Sequence, residues 1–542
     1  MNINHCLGIV QVLSIITPII IYLLKYKDLK AKQSIITIAI YILLVVVSPF
    51  IYNKTYDMTV DGNSYHKTAI AFIKNGWNPL YQTAREFQKN NANIVPIDKD
   101  SRVDLWIEHY PKATWIIAAS IYSMTGNIES GKCMTLIFSI MLMLISFNCL
   151  RKIIDKKWAG FIALLLALNP ITLAQLFSYY VDGLMGIFFT IQIFLLFMIN
   201  PKEKTVPWQW MALTAIAAIF VNLKFTGLLC SGVIAAVFYF YWLIVNRKEK
   251  DFVEIFKRNT INFIIVFATA VFIVGSNSYI KNTVDHLNPL YPLIGKDKVD
   301  IITTMQPKSF SDKNGVEKFV ISLFSRTENV SYGVKEPYLK LPIKVYRSEI
   351  GELFAPDVRM GGFGPLFALI LITSVIFIIY NLIIMIKHEK ENLKYLYLPF
   401  LAIIITMILV GESWWARYIP QLYLVPIGSI ILGVYTTKYR KNKLHKLATL
   451  GIIGIIGLNL CCFAYINFKN IINFRDIERD LKEMQQVKDL RLKLGAKDLY
   501  GYYYVLRDRG INYTVVDEVK DSRFKCNWRY EVENYEEISK TN

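Results

Sequence analysis

The sequence predicts an all-α polytopic membrane protein of about twelve transmembrane helices with outer-face juxtamembrane helices, followed by a small α+β extracytoplasmic C-terminal domain. Hydrophobic residues make up 54% of the 542 positions, and they fall in long blocks rather than in amphipathic patterns. The formal charge is +19, but Lys and Arg cluster in short segments between those blocks. This clustering follows the positive-inside rule, so the charge indicates topology and not nucleic-acid binding. The composition excludes a soluble enzyme.

A membrane-spanning helix needs roughly 17–25 mostly apolar residues. We place spans at about residues 7–24, 34–52, 132–150, 158–178, 183–200, 208–223, 227–245, 261–279, 363–386, 394–411, 418–436 and 447–467. The first span has neither a basic leader nor a small-residue cleavage site, so we interpret it as a retained helix and not a signal peptide. The basic loops then put the N-terminus outside and make the protein a multi-pass component of the cell membrane.

One apolar stretch, "ATWIIAASIYSM" from Ala113 to Met124, is too short to span a bilayer. Counting it as a span would also move the basic cluster that begins at Arg151 to the outer face. We therefore expect a juxtamembrane helix on the outer membrane surface.

These assignments divide the chain into six segments. They are residues 1–52, two N-terminal spans; 53–131, the first outer loop with juxtamembrane helices; 132–280, spans three to eight; 281–362, a large outer loop; 363–467, spans nine to twelve; and 468–542, the C-terminal domain. The last segment begins with a helical stretch, "DIERDLKEMQQVKDLRLKL", and continues through the strand-like runs "YGYYYVL" and "INYTVVD".

Ionisable and aromatic residues gather where the predicted spans meet the outer face. The candidates are Asp61 and His66 in "VDGNSYH", Glu108 and His109 in "WIEHYPKATW", Asp182 in "FSYYVDGLMG", Lys224 in "NLKFTG", and Glu412, Trp415, Arg417 and Tyr418 in "GESWWARYIP". Such residues at span ends require water or a polar cavity, so their predicted convergence indicates a site. Each also has an ordinary interpretation: Asp61 as a helix cap, the histidines as satisfied polar groups, Lys224 and Arg417 as interfacial anchors.

The order of these elements resembles the glycosyltransferase-C superfamily, which includes protein O-mannosyltransferases and bacterial lipid A aminoarabinose transferases. The likeness covers about residues 53–435 and rests on "VDGNSYH", "HYPKATW", the stretch "ALLLALNPITLAQLFSYYVDGLMGIFFT", "HLNPLYPL", "GGFGPLF" and "WWARYIPQ". Two features depart from the family pattern. An extra helix precedes the first acid, and Asp61 is followed by Gly62 instead of a second acid, which leaves Asp57 and Asp182 as candidates for the second carboxylate.

The resemblance implies transfer of a sugar from a polyprenyl-phosphate donor to an extracytoplasmic glycan, lipid or protein, with inversion at the anomeric carbon. Asp61 is then the general base, Asp182 the second catalytic acid, and Lys224 or Arg417 the group that holds the leaving phosphate. Carboxylates such as Asp61, Asp182 and Glu412 could bridge a divalent cation, but their spacing does not demand one. The seven cysteines show no disulfide framework or metal spacing.

Two other functions remain open from the sequence. A polysaccharide polymerase of the O-antigen type also uses lipid-linked sugars, and the large outer loop carries Arg326, Arg347 and Arg359, as such enzymes do. A lipid or polysaccharide transporter or flippase would show paired internal repeats. The chain repeats only "NPLY", at Asn78 and Asn288, which we interpret as two turns.

Overall fold

The computed structural model describes residues 31–203, 207–296, 298–300, 302–329, 334–439, 442–487, 490–494, 498–516 and 532–537. The first predicted span, 7–24, lies outside these residues. The chain folds as two compact units. Unit 1 comprises Met1–Ile137, Leu176–Tyr180 and Phe468–Asn542, and unit 2 comprises Phe138–Gln175 and Val181–Asn467.

The described residues are mainly helical. In chain order the α-helices are α1 Ala31–Tyr52, α2 Lys67–Lys74, α3 Ala84–Lys89, α4 Val103–His109, α5 Ala113–Thr125, α6 Met134–Leu150, α7 Lys156–Ala167, α8 Pro170–Ala174, α9 Asp182–Met198, α10 Pro207–Val221, α11 Phe225–Asn246, α12 Phe252–Ala268, α13 Lys281–His286, α14 Ile302–Met305, α15 Gly315–Leu323, α16 Arg347–Glu352, α17 Phe367–His388, α18 Lys394–Val410, α19 Leu424–Thr436, α20 Lys443–Met484 and α21 Gly501–Asp508. Tighter or wider turns are π-helical at Gly62–His66, Thr269–Val274 and Ser276–Ile280, and 3-10 at Ile128–Cys133, Lys308–Phe310, Lys390–Leu393, Ala416–Tyr418 and Pro420–Tyr423.

Apolar helices long enough to cross a membrane account for six segments of the described chain: Ile128–Leu150, Phe225–Asn246, Phe252–Val274, Phe367–His388, Lys390–Val410 and Lys443–Met484. Shorter apolar helices occupy Ile38–Tyr52, Ala113–Thr125, Asp182–Met198, Pro207–Val221 and Pro420–Thr436. The stretch "ATWIIAASIYSM" is therefore a helix, α5, as the sequence predicts. Its position on a membrane surface stays a prediction.

The predicted span at 158–178 is wrong as one continuous helix. Helix α7 ends at Ala167, and the five-residue helix α8 begins at Pro170. The break has a local cause, because proline lacks a backbone N–H and disfavours helical geometry in the residue before it. Asn169 is accordingly extended, with ψ at 129°, and its side chain accepts the Ile171 N–H as the N-cap of α8.

Helices of unit 2 pack in a continuous series. Helix α10 packs against α9, α11 and α12, α11 packs against α18, and α19 packs against α17 and α7. Both α9 and α11 are runs of apolar residues with few polar interruptions. Helix α9 is buried over most of its surface, whereas α11 buries one side and exposes residues such as Phe240 and Ile244. This series fixes the N-terminal ends of α9 and α11, where Asp182 and Lys224 lie.

The C-terminal segment departs from its predicted secondary structure. The run "YGYYYVL" is largely helical in α21 and not a strand, and the predicted helix "DIERDLKEMQQVKDLRLKL" ends at Met484. Its last residues form strand β1, Leu490–Leu494, which pairs in parallel with β2, Tyr513–Val515, and antiparallel with β3, Val532–Glu537. Tertiary packing overrides the β-propensity of tyrosine here, because helix α21 buries Tyr502, Tyr504 and Leu506.

Helix α21 packs against the first outer loop within unit 1. The Asp508 carboxylate accepts hydrogen bonds from the Tyr122 hydroxyl at 2.5 Å and from the Ile128 backbone N–H at 2.7 Å. Burial raises the pKa of Asp508 to about 6. Gly501 lies so close to the π-helical turn that an added Cβ would stand 2.7 Å from the Asn63 Cα. The C-terminal segment is thus part of the support of "VDGNSYH".

A fully buried ionic network ties that turn to the start of α6. Glu129 binds Lys67 Nζ through Oε1 and Lys132 Nζ through Oε2, each at 2.5 Å, and all three side chains are 0–1% exposed. Lys67 Nζ also donates to Asn63 Oδ1 at 2.8 Å, and the Asp57 backbone N–H donates to Glu129 at 3.1 Å. We call these residues, Asp57, Asn63, Lys67, Glu129 and Lys132, the Glu129 network.

We expect Glu129→Gln to lower the free energy of unfolding by about 3–5 kcal/mol, because two buried ammonium groups would lose their counter-charge. Thermal unfolding of the purified protein in detergent measures the change. Glu249→Gln is the matched control, since Glu249 pairs with Lys202 at 2.6 Å while the two side chains are 40% and 50% exposed. That change should cost less than about 1 kcal/mol. Equal melting temperatures for the two variants would contradict a structural role of the Glu129 network.

Candidate functional site

The π-helical turn Gly62–His66 presents the first group of predicted site residues. Asp61 directly precedes this turn and makes no side-chain capping hydrogen bond to it, so the ordinary interpretation of Asp61 as a helix cap is wrong. The Tyr65 hydroxyl donates to Asp61 Oδ2 at 3.2 Å. The Asp61 side chain is only partly buried. It therefore combines a defined hydrogen bond with access to solvent.

His66 is held by the motif "HYPKATW". Trp115 Nε1 donates to His66 Nδ1 at 2.7 Å, which makes Nδ1 an acceptor and leaves the ring proton on Nε2. The Tyr65 ring lies 4.4 Å from the His66 ring and within about 6.3 Å of the Trp106, Tyr110 and Trp115 rings. Lys112 sits 5.6 Å from the centre of the Trp115 ring. The rings of Tyr65, Trp106, Tyr110 and Trp115 thus lie together beside the turn that follows Asp61, and we call them the aromatic wall.

Glu108 and His109 have structural contacts in this unit. Glu108 Oε1 accepts the backbone N–H of Ala84 at 2.8 Å, at the start of helix α3. Lys112 Nζ donates to the Glu108 backbone carbonyl, also at 2.8 Å. His109, the last residue of α4, is buried. Glu108 therefore anchors a helix start, and its predicted substrate contact stays a prediction, as does that of His109.

Asp57 explains why glycine follows Asp61. A Cβ on Gly62 would stand 2.0 Å from Asp57 Oδ2, so no larger residue fits at position 62. The Asp57 carboxylate is fully buried and accepts the backbone N–H groups of Thr59 at 2.9 Å and Tyr179 at 2.7 Å. Burial raises the pKa of Asp57, and the ammonium groups of Lys67 and Lys132 oppose that rise. Asp57 is a structural carboxylate that occupies the space of a residue-62 side chain.

Unit 2 brings the second group of predicted residues together. Asp182, the first residue of α9, is 2% exposed, and Lys224 Nζ lies 2.8 Å from its Oδ1. The side-chain amide of Gln175 makes two hydrogen bonds: its Nε2 donates to Asp182 Oδ2 at 3.1 Å, and its Oε1 accepts the Gly183 backbone N–H. Arg417 Nη1 lies 3.9 Å from Asp182 Oδ2. Asp182 thus orients two cations that are distant in sequence.

A second carboxylate, Asp357, enters the same group and was missed from the sequence. Asp357 Oδ1 lies 3.4 Å from Arg417 Nε, and its Oδ2 accepts from Arg359 Nη2 at 2.8 Å. Two backbone hydrogen bonds pair residues 358–359 with 416–417, which brings the two arginines side by side. One feature of the sequence could have identified Asp357 as a candidate: in "PDVRMGGFG" an acid and an arginine lie two residues apart, directly before a glycine-rich motif.

Aromatic rings complete this second group. The Trp415 ring lies 4.8 Å from the Arg359 guanidinium and 4.9 Å from that of Arg417. Lys224 Nζ lies 4.3 Å from the Tyr418 ring centre. Cations held over ring faces gain about 0.5–2 kcal/mol and keep a fixed direction. We call Asp182, Lys224, Asp357, Arg359, Trp415, Arg417 and Tyr418 the cation cluster.

Glu412 stands apart from the cation cluster in its contacts. Its carboxylate accepts from Trp414 Nε1 at 2.5 Å and lies 3.9 Å from Lys318 Nζ. Over the described ranges, no group of three or more His, Cys, Asp and Glu side chains is arranged to hold a metal ion. The structure therefore offers no support for a cation bridged by Asp61, Asp182 and Glu412.

The cation cluster has the chemistry of an anion site. The side chains of Arg417 and Lys224 are about 10% and 13% exposed, so both are mostly buried but keep some contact with solvent. The planar guanidinium can donate two parallel hydrogen bonds to a phosphate, while the ammonium acts as a point charge. Both groups lie beside the partly exposed ring of Tyr418, which offers a surface for an apolar chain or a sugar face, whereas Trp415 is buried beneath the arginines.

Comparisons with known proteins give the following matches. No family model matches the chain, and no curated protein matches it. Among solved structures, the chain is similar to ArnT from Cupriavidus metallidurans in the apo state, with a TM-score of 0.44 and 10% identity over 87% of this chain and 85% of that chain. It is similar to the same protein bound to undecaprenyl phosphate, with a TM-score of 0.45 and 10% identity over 88% and 85%.

We expect Gly62→Ala to destabilise the protein by about 1–3 kcal/mol, because the new methyl group would displace the Asp57 carboxylate from its two backbone donors. Thermal unfolding in detergent measures this loss. Gly351→Ala is the control, since a Cβ at Gly351 meets no atom within 4 Å. A Gly62→Ala protein as stable as the control would show that the Asp57 position is not fixed.

Proposed function

We propose that the protein is a membrane glycosyltransferase that moves a sugar from a polyprenyl-phosphate-linked donor to an acceptor on the extracytoplasmic face. The cation cluster is the observation that carries this proposal. Two of its cations, Lys224 and Arg417, lie 2.8 Å and 3.9 Å from the carboxylate of Asp182. Asp182 and Lys224 lie at the N-terminal ends of the apolar helices α9 and α11. A lipid phosphate needs this combination of fixed positive charge and an adjacent apolar environment.

The cluster suits a leaving phosphate better than a passive lipid contact. Arg417 is positioned by both Asp182 and Asp357, so its guanidinium is oriented before any ligand arrives. Preorganised cations stabilise charge that develops on a leaving oxygen without reorganising during the reaction. We assign Lys224 and Arg417 to the donor phosphate and the partly exposed Tyr418 to the prenyl chain or the sugar. Trp415 is buried, so we assign it the role of positioning the guanidinium groups of Arg359 and Arg417.

We assign the general base to Asp61. Its side chain is partly exposed, whereas Asp57 is fully buried and committed to two backbone N–H groups, so Asp61 is the carboxylate of this turn that an acceptor hydroxyl can reach. In the proposed step the acceptor oxygen forms a bond to the anomeric carbon, and its proton passes to Asp61. The bond from the anomeric carbon to the phosphate oxygen breaks, and its electron pair leaves with the phosphate. Attack opposite the phosphate inverts the anomeric configuration.

The aromatic wall is suited to contact a sugar in the acceptor. Tyr65 and Trp106 are both partly exposed, and their rings lie 6.3 Å apart. Aromatic faces pack against the apolar faces of sugars, while the Tyr65 hydroxyl remains bonded to Asp61. We propose that these two rings, with His66 behind them, position an acceptor whose nucleophile is a hydroxyl group. The proposal does not rely on a divalent cation.

We expect Asp61→Asn to fold normally and to lower sugar transfer by about 100- to 10,000-fold, which is the usual contribution of a general base. Isolated membranes are incubated with a panel of radiolabelled polyprenyl-phosphate sugars, and the label leaving the lipid-linked donor is followed together with the polyprenyl phosphate released. Asp100→Asn, at an exposed carboxylate of the same loop, should retain full activity. Near-normal sugar transfer by the Asp61→Asn protein would show that Asp61 is not the general base. If the unaltered protein consumes no donor in the panel, the proposed function is wrong.

We expect Arg417→Ala to weaken binding of a short-chain polyprenyl phosphate by about 10- to 100-fold, since charge-assisted hydrogen bonds contribute about 1.5–3 kcal/mol. Binding is measured on the purified protein by calorimetry, with the corresponding polyprenol, which lacks the phosphate, as a second ligand. Polyprenol affinity should not change. Arg479→Ala is the control variant, because the Arg479 side chain is 62% exposed. An unchanged affinity for the phosphate in Arg417→Ala would rule out Arg417 as the phosphate ligand.

A further inference from the structure

A cavity of about 330 Å³ lies among the helices of unit 2, toward the ends opposite Asp182. Helices α6, α7, α9, α17, α18 and α19 line it, and on α9 the lining begins at Thr190 and ends at Met198, the last residue of that helix. Asp182 is the first residue of the same helix. The cavity is therefore separate from the cation cluster.

The lining of this cavity is mostly hydrocarbon. Apolar side chains from all six helices face it, among them Phe194, Leu396, Ile403 and Ile431. The Thr190 hydroxyl also lines it but donates to the Gly186 backbone carbonyl at 2.7 Å, so its hydrogen is already used. Water would find few partners in such a space, and an empty cavity of this size would forfeit packing along its whole lining. The volume lies within the range of about 300–1,000 Å³ typical of ligand sites.

Polar groups collect at one end of the cavity. Lys152, Asn392, Tyr395 and Tyr435 lie in the lining, and Asn392 Nδ2 donates to the Tyr435 hydroxyl at 3.0 Å. Lys152 is exposed, so its ammonium group can meet a ligand without losing its own solvation completely. The lining is thus apolar along most of its length and cationic at one end, which suits an amphiphile with an apolar chain and an anionic headgroup.

We propose that this cavity binds an anionic phospholipid, with one acyl chain among α6, α9, α18 and α19 and with its phosphate at Lys152. Three of the lining helices belong to segments long and apolar enough to cross a membrane, so the surrounding medium supplies acyl chains directly. The charge of Lys152 favours an anionic headgroup over a zwitterionic one. This lipid is not the glycosyl donor, whose phosphate we assign to the cation cluster at the other end of α9.

The experiment uses the full-length protein in phosphatidylcholine vesicles that contain 5% of a photoactivatable lipid, with a diazirine in one acyl chain. The lipid carries either a phosphatidylglycerol or a phosphatidylcholine headgroup. Mass spectrometry then maps the crosslinked peptides. We expect crosslinks on the peptides of Thr190–Met198 and of α18, several-fold stronger for phosphatidylglycerol. Equal labelling by both headgroups would overturn the phosphate assignment.

Two variants test the place of binding. Gly428 lines the cavity, and a Cβ there would meet only Phe400, at an ordinary 3.6 Å, so the backbone at this position accepts a side chain, and Gly428→Leu places that side chain in the cavity. We expect it to lower the crosslinking at least fivefold. Gly454→Leu is the matched control on an exposed helix face, where a Cβ meets nothing within 4 Å, and it should leave the crosslinking unchanged. Undiminished labelling in Gly428→Leu would place the lipid elsewhere.

Two further variants and a competition measurement test the headgroup contact and the identity of the lipid. Lys152→Ala should bring the phosphatidylglycerol preference close to one while retaining labelling in the cavity, and a preserved preference would contradict the contact. Ile431→Phe fills the same space from a neighbouring position and replaces Gly428→Leu if that variant unfolds. Unlabelled phosphatidylglycerol should compete better than undecaprenyl phosphate. The reverse order would identify a polyprenyl phosphate as the occupant and overturn the choice of a phospholipid, without bearing on sugar transfer.

Discussion

The carboxylate of Glu129, buried between Lys67 and Lys132, is the constraint on which unit 1 depends. Burying an ion is costly unless its partners are held in good geometry, so the three side chains permit one arrangement of the backbone around them. Lys67 follows the π-helical turn directly, and Glu129 precedes helix α6. The network therefore fixes the turn that carries Asp61 to the start of a long apolar helix. Loss of one charge would leave the others uncompensated.

Three carboxylates near predicted span ends have different surroundings, and these separate their roles. Asp57 is buried and accepts backbone N–H groups, so its contribution is structural. Asp61 is partly exposed and accepts a tyrosine hydroxyl, which suits an exchangeable proton. Asp182 is buried against Lys224 and Arg417, where it orients cations. These differences in hydrogen-bond partners and solvent access are the reason that we assign the three aspartates different roles in the proposed reaction.

The C-terminal segment and the lipid cavity extend the description beyond the candidate site. Helix α21 buries tyrosines and places Gly501 and Asp508 against the segment 53–131, so this helix supports the turn that follows Asp61. In unit 2, helix α9 carries the cation cluster at its first residue and the apolar cavity along its second half. One helix thereby connects the proposed phosphate site to the proposed lipid site.

The sequence by itself determined the membrane class and the positions of most apolar helices, and it identified Asp182, Lys224 and Arg417 as candidate site residues, because long apolar blocks and ions at their ends follow from the cost of polar groups in hydrocarbon. Pro170 was an available signal for a helix break, but the predicted span 158–178 continued through it. Only the tertiary structure decided that Asp357 and Arg359 join the cation cluster, that Lys67, Glu129 and Lys132 form one network, and that "YGYYYVL" is helical. These outcomes depend on contacts between residues far apart in the chain, and no local pattern encodes which distant partner a buried charge or a tyrosine will meet.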